Sequence, residues 1–157
     1  MSYIAIDDLK HGWAFRFKAL PISELDLKAI KPMSTDRSTG LWSQFISRQV
    51  DHPDFFKKGD WPFDENNWAE TGEWQTRWES DDDSLPEEII QAIDWQDNTT
   101  VYYCNSRKQV IECNWGAFKR CWKNFLMMDD GPILIGKKRP EAIQFLQNGQ
   151  FKIGRKS

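Results

Sequence analysis

The residues of this 157-residue chain singled out for the chemistry of nucleophiles, acids or ligands are three cysteines, two histidines and the adjacent aspartates at 81–83 and 129–130. Cys113 is the best nucleophile candidate. It directly precedes Asn114, a predicted helix N-cap, and a helix N-terminus lowers a thiol's pKa; His52 or His11 could meet it in space as a base. A zinc site needs three or four thiolates or imidazoles converging at about 2.0–2.3 Å. His11, His52, Cys104, Cys113 and Cys121 are too scattered to provide one, so no metal and no cofactor is expected. Asp129 and Asp130 are adjacent at a turn, whereas a paired-acid mechanism needs two carboxyls across a cleft. The run Asp81-Asp82-Asp83 lacks the spaced oxygens and the mid-loop glycine of a calcium loop. The chain contains no P-loop, GxGxxG, GxSxG or HExxH motif. This reading assigns no catalytic residue and leans away from an enzyme. The enzymatic alternative would assemble its site near Cys113 or Asp129-Asp130.

A stretch rich in aromatic rings carries a different kind of signal. Trp61, Phe63, Trp68, Trp74 and Trp78 sit among polar residues, Gly59, Pro62 and Gly72. Tryptophan beside Arg77 and the acids Asp81, Asp82 and Asp83 is the composition of a protein-binding hot spot or a sugar-stacking platform. Trp61, Trp68, Trp74, Arg77, Trp78, Asp81, Asp82 and Asp83 are therefore the candidate binding residues. The competing reading is that an irregular segment needs large rings to pin it to the core. One helical turn or more is expected near Glu73–Trp78.

The elements that must position these residues centre on Asn114 to Ile135. Trp115, Phe118, Trp122, Phe125 and Leu126 recur at the spacing of one helical face, with Gly116, Ala117, Arg120, Lys123 and Asn124 on the other side. Asp129-Asp130-Gly131-Pro132 has turn chemistry, and Ile133-Leu134-Ile135 is a buried strand. Upstream, Tyr3–Ile6 and His11–Leu20 read as strands, the second from Trp13, Phe15 and Phe17 at period two. Ser23–Asp26 opens a short helix to about Ile30, and Thr35–Ser38 opens one with Leu41, Trp42, Phe45 and Ile46 as its face. Ser84 caps a helix carrying Leu85, Ile89 and Ile93. Thr99–Cys104 and Gln109–Cys113 form a hairpin with Cys104 opposite Gln109, which leaves no disulfide geometry. Pro140 opens a last helix with Ala142, Phe145 and Leu146 on one side, stopped by Asn148-Gly149. Phe151–Ile153 is a final strand. The fold class is α+β: one domain over residues 1–157, an antiparallel or mixed sheet packed against helices.

Nine Trp and ten Phe, 14% aromatic beside 29% charged, describe a chain with a core to bury. A net charge of −3 argues against a nucleic-acid binder or a polybasic membrane binder. No apolar run reaches spanning length and the N-terminus does not read as a signal peptide. An odd number of cysteines without CxxC fits a reducing cytoplasm.

The string Trp115…Phe118…Trp122-Lys123-Asn124-Phe125-Leu126…Asp129-Asp130-Gly131-Pro132, with Leu41-Trp42 and the Trp-rich middle, resembles a family of small bacterial proteins built on a domain of unknown function. The aromatic, acidic style is also loosely similar to toxin-immunity proteins. The first resemblance implies a bacterial cytoplasmic protein and transfers no catalytic residue. The expected function is that of a non-enzymatic binding protein, immunity-like or regulatory, whose partner is a protein with a basic surface. A small-molecule or sugar binder using Trp68, Trp74 and Trp78 is a further alternative.

Overall fold

The computed structural model describes residues 2–128 and 131–156, so the expected turn at Asp129-Asp130 lies outside the described residues. At the centre stands helix α5, Trp115–Phe125. The Asn114 side-chain oxygen accepts from the Ala117 N–H at 2.7 Å, satisfying one of the free donors of the first turn. Trp115, Phe118, Trp122 and Phe125 are all buried in one cluster with residues of the sheet. The opposite side departs from expectation. Gly116, Ala117, Lys123 and Asn124 are buried as well, leaving Lys119 partly and Arg120 fully at the surface. The polar members there are anchors for covering chain. Asn124 Nδ2 donates to the Ala14 and Leu20 carbonyls, both at 2.9 Å, and Lys123 Nζ donates to the Ser80 carbonyl at 2.9 Å. A helix amphipathic in composition is thus enclosed nearly all round, because each of these buried polar groups has a partner.

Among the described residues the sheet has seven strands, all paired antiparallel: β1 (Lys31–Pro32), β2 (Trp68–Glu73), β3 (Thr100–Ser106), β4 (Gln109–Asn114), β5 (Ile133–Gly136), β6 (Glu141–Phe145) and β7 (Gln150–Arg155), in the order β1-β4-β3-β5-β6-β7-β2. Alternation along the strands divides the side chains between two faces. Val101, Tyr103, Ile111, Leu134, Ile143 and Phe151 join α5. Tyr102, Cys104, Val110, Ile133, Ile135 and Ala142 join Trp42 and Ile46 of the segment containing helix α2, Thr35–Phe45. Both faces are covered, which is why β5 reads as an unbroken apolar run. α2 begins at a Ser34 cap accepting from the Arg37 N–H at 3.2 Å. The short helices α3 (Gln75–Glu79) and α4 (Glu87–Ala92) lie between β2 and β3.

Several sequence expectations are corrected. Tyr3–Ile6 is not a strand: Tyr3 makes an isolated bridge to Met33 and a 3-10 turn begins at Ile6. His11–Leu20 holds a 3-10 helix at Gly12–Arg16, with Ala14 and Phe15 buried but Trp13 54% and Phe17 41% exposed. Period two and a 3-10 turn share too few positions here to be told apart over so short a stretch. α4 starts from Pro86 with no side-chain cap, so Ser84 does not cap it, although Leu85, Ile89 and Ile93 are buried as expected. The hairpin register shifts between Cys104 and Ser106, placing Cys104 opposite Val110 and Ser106 opposite Gln109. A bulge absorbs the extra residue; Cys113 faces Val101 and all three cysteines are free. The segment after Pro140 is a strand, not a helix. Ala142, Phe145 and Leu146 have the spacing of a helical face, but pairing to both β5 and β7 makes the segment strand β6, with Ala142 on one face of the sheet and Ile143 and Phe145 on the other. Asn148-Gly149 therefore turns a hairpin, with Gly149 at φ 87°, a conformation that glycine adopts without a Cβ penalty. Edge strand β2 escapes sequence reading because WAETGE has no continuous apolar face. Its partner β7 carries Gly154, where a Cβ would collide with the Asn67 carbonyl oxygen.

Helix α1, Glu24–Ala29, is capped by Ser23 and tied to α5 by one ion pair. Asp26, its side chain 7% exposed, accepts from Arg120 Nε and Nη2, each at 2.9 Å; Arg120 itself is 57% exposed. The Arg120 hydrogen bonds hold the Asp26 carboxyl below its ordinary pKa, against the opposing effect of burial. A depressed carboxylate stabilises the fold above the unfolded value, and that contribution fades as pH falls through the lower folded value. Asp26→Asn is thus expected to cost about 1–3 kcal/mol at neutral pH. In urea melts the gap from the parent protein should shrink below about pH 4. A gap independent of pH would show that the carboxylate's charge contributes nothing.

Candidate functional site: a basic groove on the second face of the sheet

The structure disperses the candidate binding residues. Trp61 and Trp68 pack on the second face, ring centroids 5.7 Å apart, with Lys152 Nζ 4.7 Å from the Trp68 ring centre. Trp74 is buried in the α5 cluster and Trp78 packs against it. Each of the four indole N–H groups donates within the chain: Trp61 to the Phe45 carbonyl at 2.7 Å, Trp68 to Pro62 at 3.0 Å, Trp74 to Leu146 at 3.1 Å and Trp78 to Lys123 at 2.9 Å. Arg77 donates to the Leu85 carbonyl at 3.0 Å and pairs with Asp82 at 3.5 Å. The Ser84 N–H, first among several contacts, holds the exposed Asp82 carboxyl below its ordinary pKa. Asp83 lies 3.7 Å from Lys123 Nζ, its carbonyl accepts from Trp122 at 2.9 Å, and Asp81 is exposed beside it.

The thiols are placed differently from the nucleophile reading. Cys113 does precede the α5 cap, but it is buried and burial raises its pKa well above the ordinary thiol value. Burial likewise raises Cys104 and pushes Cys121 up to about 12. Desolvation here outweighs the pull of a helix N-terminus. His52 Nδ1 accepts from the Asp54 N–H at 3.0 Å and His11 is exposed. Among the described residues no three His, Cys, Asp or Glu side chains converge as metal ligands would. Ellman's reagent is expected to label essentially no thiol in the native protein and all three after unfolding. Fast native labelling of Cys113 would restore the nucleophile.

What the structure does assemble is a groove of about 820 Å³ between α2 and the β5–β6 connection. Leu41, Phe45, Tyr102 and Pro140 give it an apolar floor, while Arg37, Lys137, Lys138, Arg139 and Lys156 contribute five cations, and among the described residues no side-chain carboxylate lines it. Arg37 arrives on the first turn of α2, where it also stands 5.3 Å from the Tyr3 ring centre and 3.9 Å from Glu112. Residues 137–139 turn between β5 and β6, with Lys138 held at φ 59° and the Arg139 N–H donating to the Gly136 carbonyl at 3.1 Å. Lys156 follows β7, its N–H donating to the Pro140 carbonyl at 2.8 Å. Among the described residues Lys137, Lys138, Arg139 and Lys156 make no ion pair. The half-buried Lys156 ammonium lies 5.2 Å from the Phe45 ring centre, and burial lowers its pKa. Five like charges gathered over an apolar floor repel one another, so an anion seated among them gains from every one.

Sequence reasoning missed this site because the contributors come from positions 37, 137–139 and 156, and only strand order brings them together. Lys137-Lys138-Arg139 was the available signal, hidden by averaging charge over the chain.

Gln44, Phe45 and Lys156 also line a second, neighbouring compartment, about 820 Å³ as well, bordered by Ser47, Gln49, Asp60, Trp61, Asp64 and Asn67. Among the described residues no helix is long and apolar enough to cross a membrane. No curated protein and no solved structure matches the chain. A family model described as "Protein of unknown function (DUF2947)" matches residues 3–154.

Proposed function

We propose that this chain, which belongs to the DUF2947 family of proteins of unknown function, is a non-enzymatic binding protein whose ligand site is the basic groove. The observation that carries the reading is the convergence of Arg37, Lys137, Lys138, Arg139 and Lys156 on one apolar-floored cavity, with no side-chain carboxylate lining it among the described residues, in a chain of net charge −3. Such a site recognises an anion by charge and holds it against rings and aliphatic surface. A regulatory role in the cytoplasm suits it, since three free cysteines fit a reducing compartment.

The protein partner with a basic surface, expected at Asp81–Asp83, has less behind it. Asp82 and Asp83 already face Arg77 and Lys123, and the indoles are committed to internal carbonyls. Isothermal titration with sodium pyrophosphate tests the groove. Saturable binding that weakens as salt rises is expected, because exposed charges are screened over about 10 Å at 0.1 M. Absence of heat at low salt contradicts the reading.

A further inference from the structure

Charge is distributed unequally along the groove, and that asymmetry defines the ligand more narrowly. The inference rests on the groove being an anion site. At the β5–β6 end the lining offers five cations and, among the described residues, no acidic side chain. In the adjoining compartment the charged lining residues are Arg48, Lys156, Asp60 and Asp64. Asp60 is buried and fully engaged, accepting from Ser47 Oγ at 2.6 Å, Gln49 Nε2 at 3.0 Å and the Lys57 N–H at 3.1 Å. Asp64 accepts from the Asn66 N–H at 2.9 Å through one oxygen and remains exposed. A second anionic group would find there two cations offset by these two carboxylates, whereas a hydroxyl or amino donor finds an acceptor in the exposed Asp64 carboxylate. Trp61 borders the same compartment, and Phe45 bridges the two ends. Aromatic faces in a polar setting take flat rings by stacking.

From this geometry we infer that the groove binds a nucleoside monophosphate, with the phosphate among Lys137, Lys138, Arg139, Arg37 and Lys156 and the ribose and base extending past Gln44 and Phe45 toward Trp61 and Asp64. A long polyphosphate or an oligonucleotide would carry charge away from the five cations into a compartment where Arg48 and Lys156 are offset by Asp60 and Asp64, and a bare phosphate leaves the second compartment unused.

The test is calorimetric titration of the whole protein with inorganic phosphate, adenosine, the four ribonucleoside 5′-monophosphates and glucose 6-phosphate at one low ionic strength. At least one nucleoside monophosphate is expected to bind about tenfold or more tightly than inorganic phosphate, adenosine and glucose 6-phosphate, a factor worth about 1.4 kcal/mol. Gln44→Trp, at an exposed helical position between the compartments, should weaken the nucleotide and spare inorganic phosphate. Lys138→Gln should weaken both. Inorganic phosphate binding as tightly as every nucleotide, with Lys138→Gln weakening it, overturns this inference and leaves the anion site standing. Glucose 6-phosphate matching the best nucleotide overturns it too, by removing the role of the base. No binding of any anion overturns the inference together with the reading it rests on.

Discussion

Trp122→Ala is expected to remove about 3–5 kcal/mol of stability, the usual cost of truncating a buried large ring. Domains of this size hold about 5–15 kcal/mol in total, so the variant should lose a large share of its margin and melt on the order of 10 °C lower. Trp122 is fully buried in the α5 cluster, and its N–H donates to the Asp83 carbonyl at 2.9 Å. Truncation leaves a cavity between helix and sheet and an unpaired carbonyl at the loop covering the helix. The control is Trp13→Ala. Trp13 is aromatic too, but it is 54% exposed, and exposed substitutions usually stay within about 0.5 kcal/mol. Parallel urea melts read both. Equal effects from the two tryptophans would mean that the α5 cluster does not organise the molecule.

The second large effect concerns binding. The double variant Lys137→Glu, Lys138→Glu is expected to weaken pyrophosphate by about a hundredfold, near 2.7 kcal/mol, because two attractions in the groove become repulsions. Its melting temperature should equal or exceed that of the parent, since neither lysine makes an ion pair among the described residues and crowding of like charge is relieved. Loss of affinity with full stability separates recognition from folding. An unchanged affinity would place the anion elsewhere.

What was legible in the sequence was what local periodicity controls. The Asn114 cap, the α5 face and β5 each depend on residues close in the chain, and all three stand. The α+β class followed from them, and the sheet, expected to be antiparallel or mixed, is antiparallel. Strand β6 was misread because Ala142, Phe145 and Leu146 have helical spacing, while a strand buried on both faces needs no alternation, and neighbouring strands that sequence does not display decide the matter. Asn148-Gly149 was the overlooked hint, being as much a hairpin turn as a helix stop. The buried outer side of α5 was invisible for a related reason. Lys123 and Asn124 look solvent-facing until Ser80, Ala14 and Leu20 arrive to accept from them. The groove was the least legible feature, since Arg37, Lys138 and Lys156 become neighbours only through the placing of α2 over the second face and of the chain after β7 beside the β5–β6 turn. Net charge, a sum over the whole chain, is the wrong statistic for a property that depends on where charges meet.

The most direct measurement of the groove's role is a titration of the isotope-labelled protein with sodium pyrophosphate, followed by backbone amide chemical shifts. The account predicts progressive, saturating shifts concentrated at Arg37, Tyr102, Lys137–Arg139 and Lys156, with Asp81–Asp83 and Trp78 still. Shifts centred on the acidic loop, or none anywhere at saturating pyrophosphate, would contradict it.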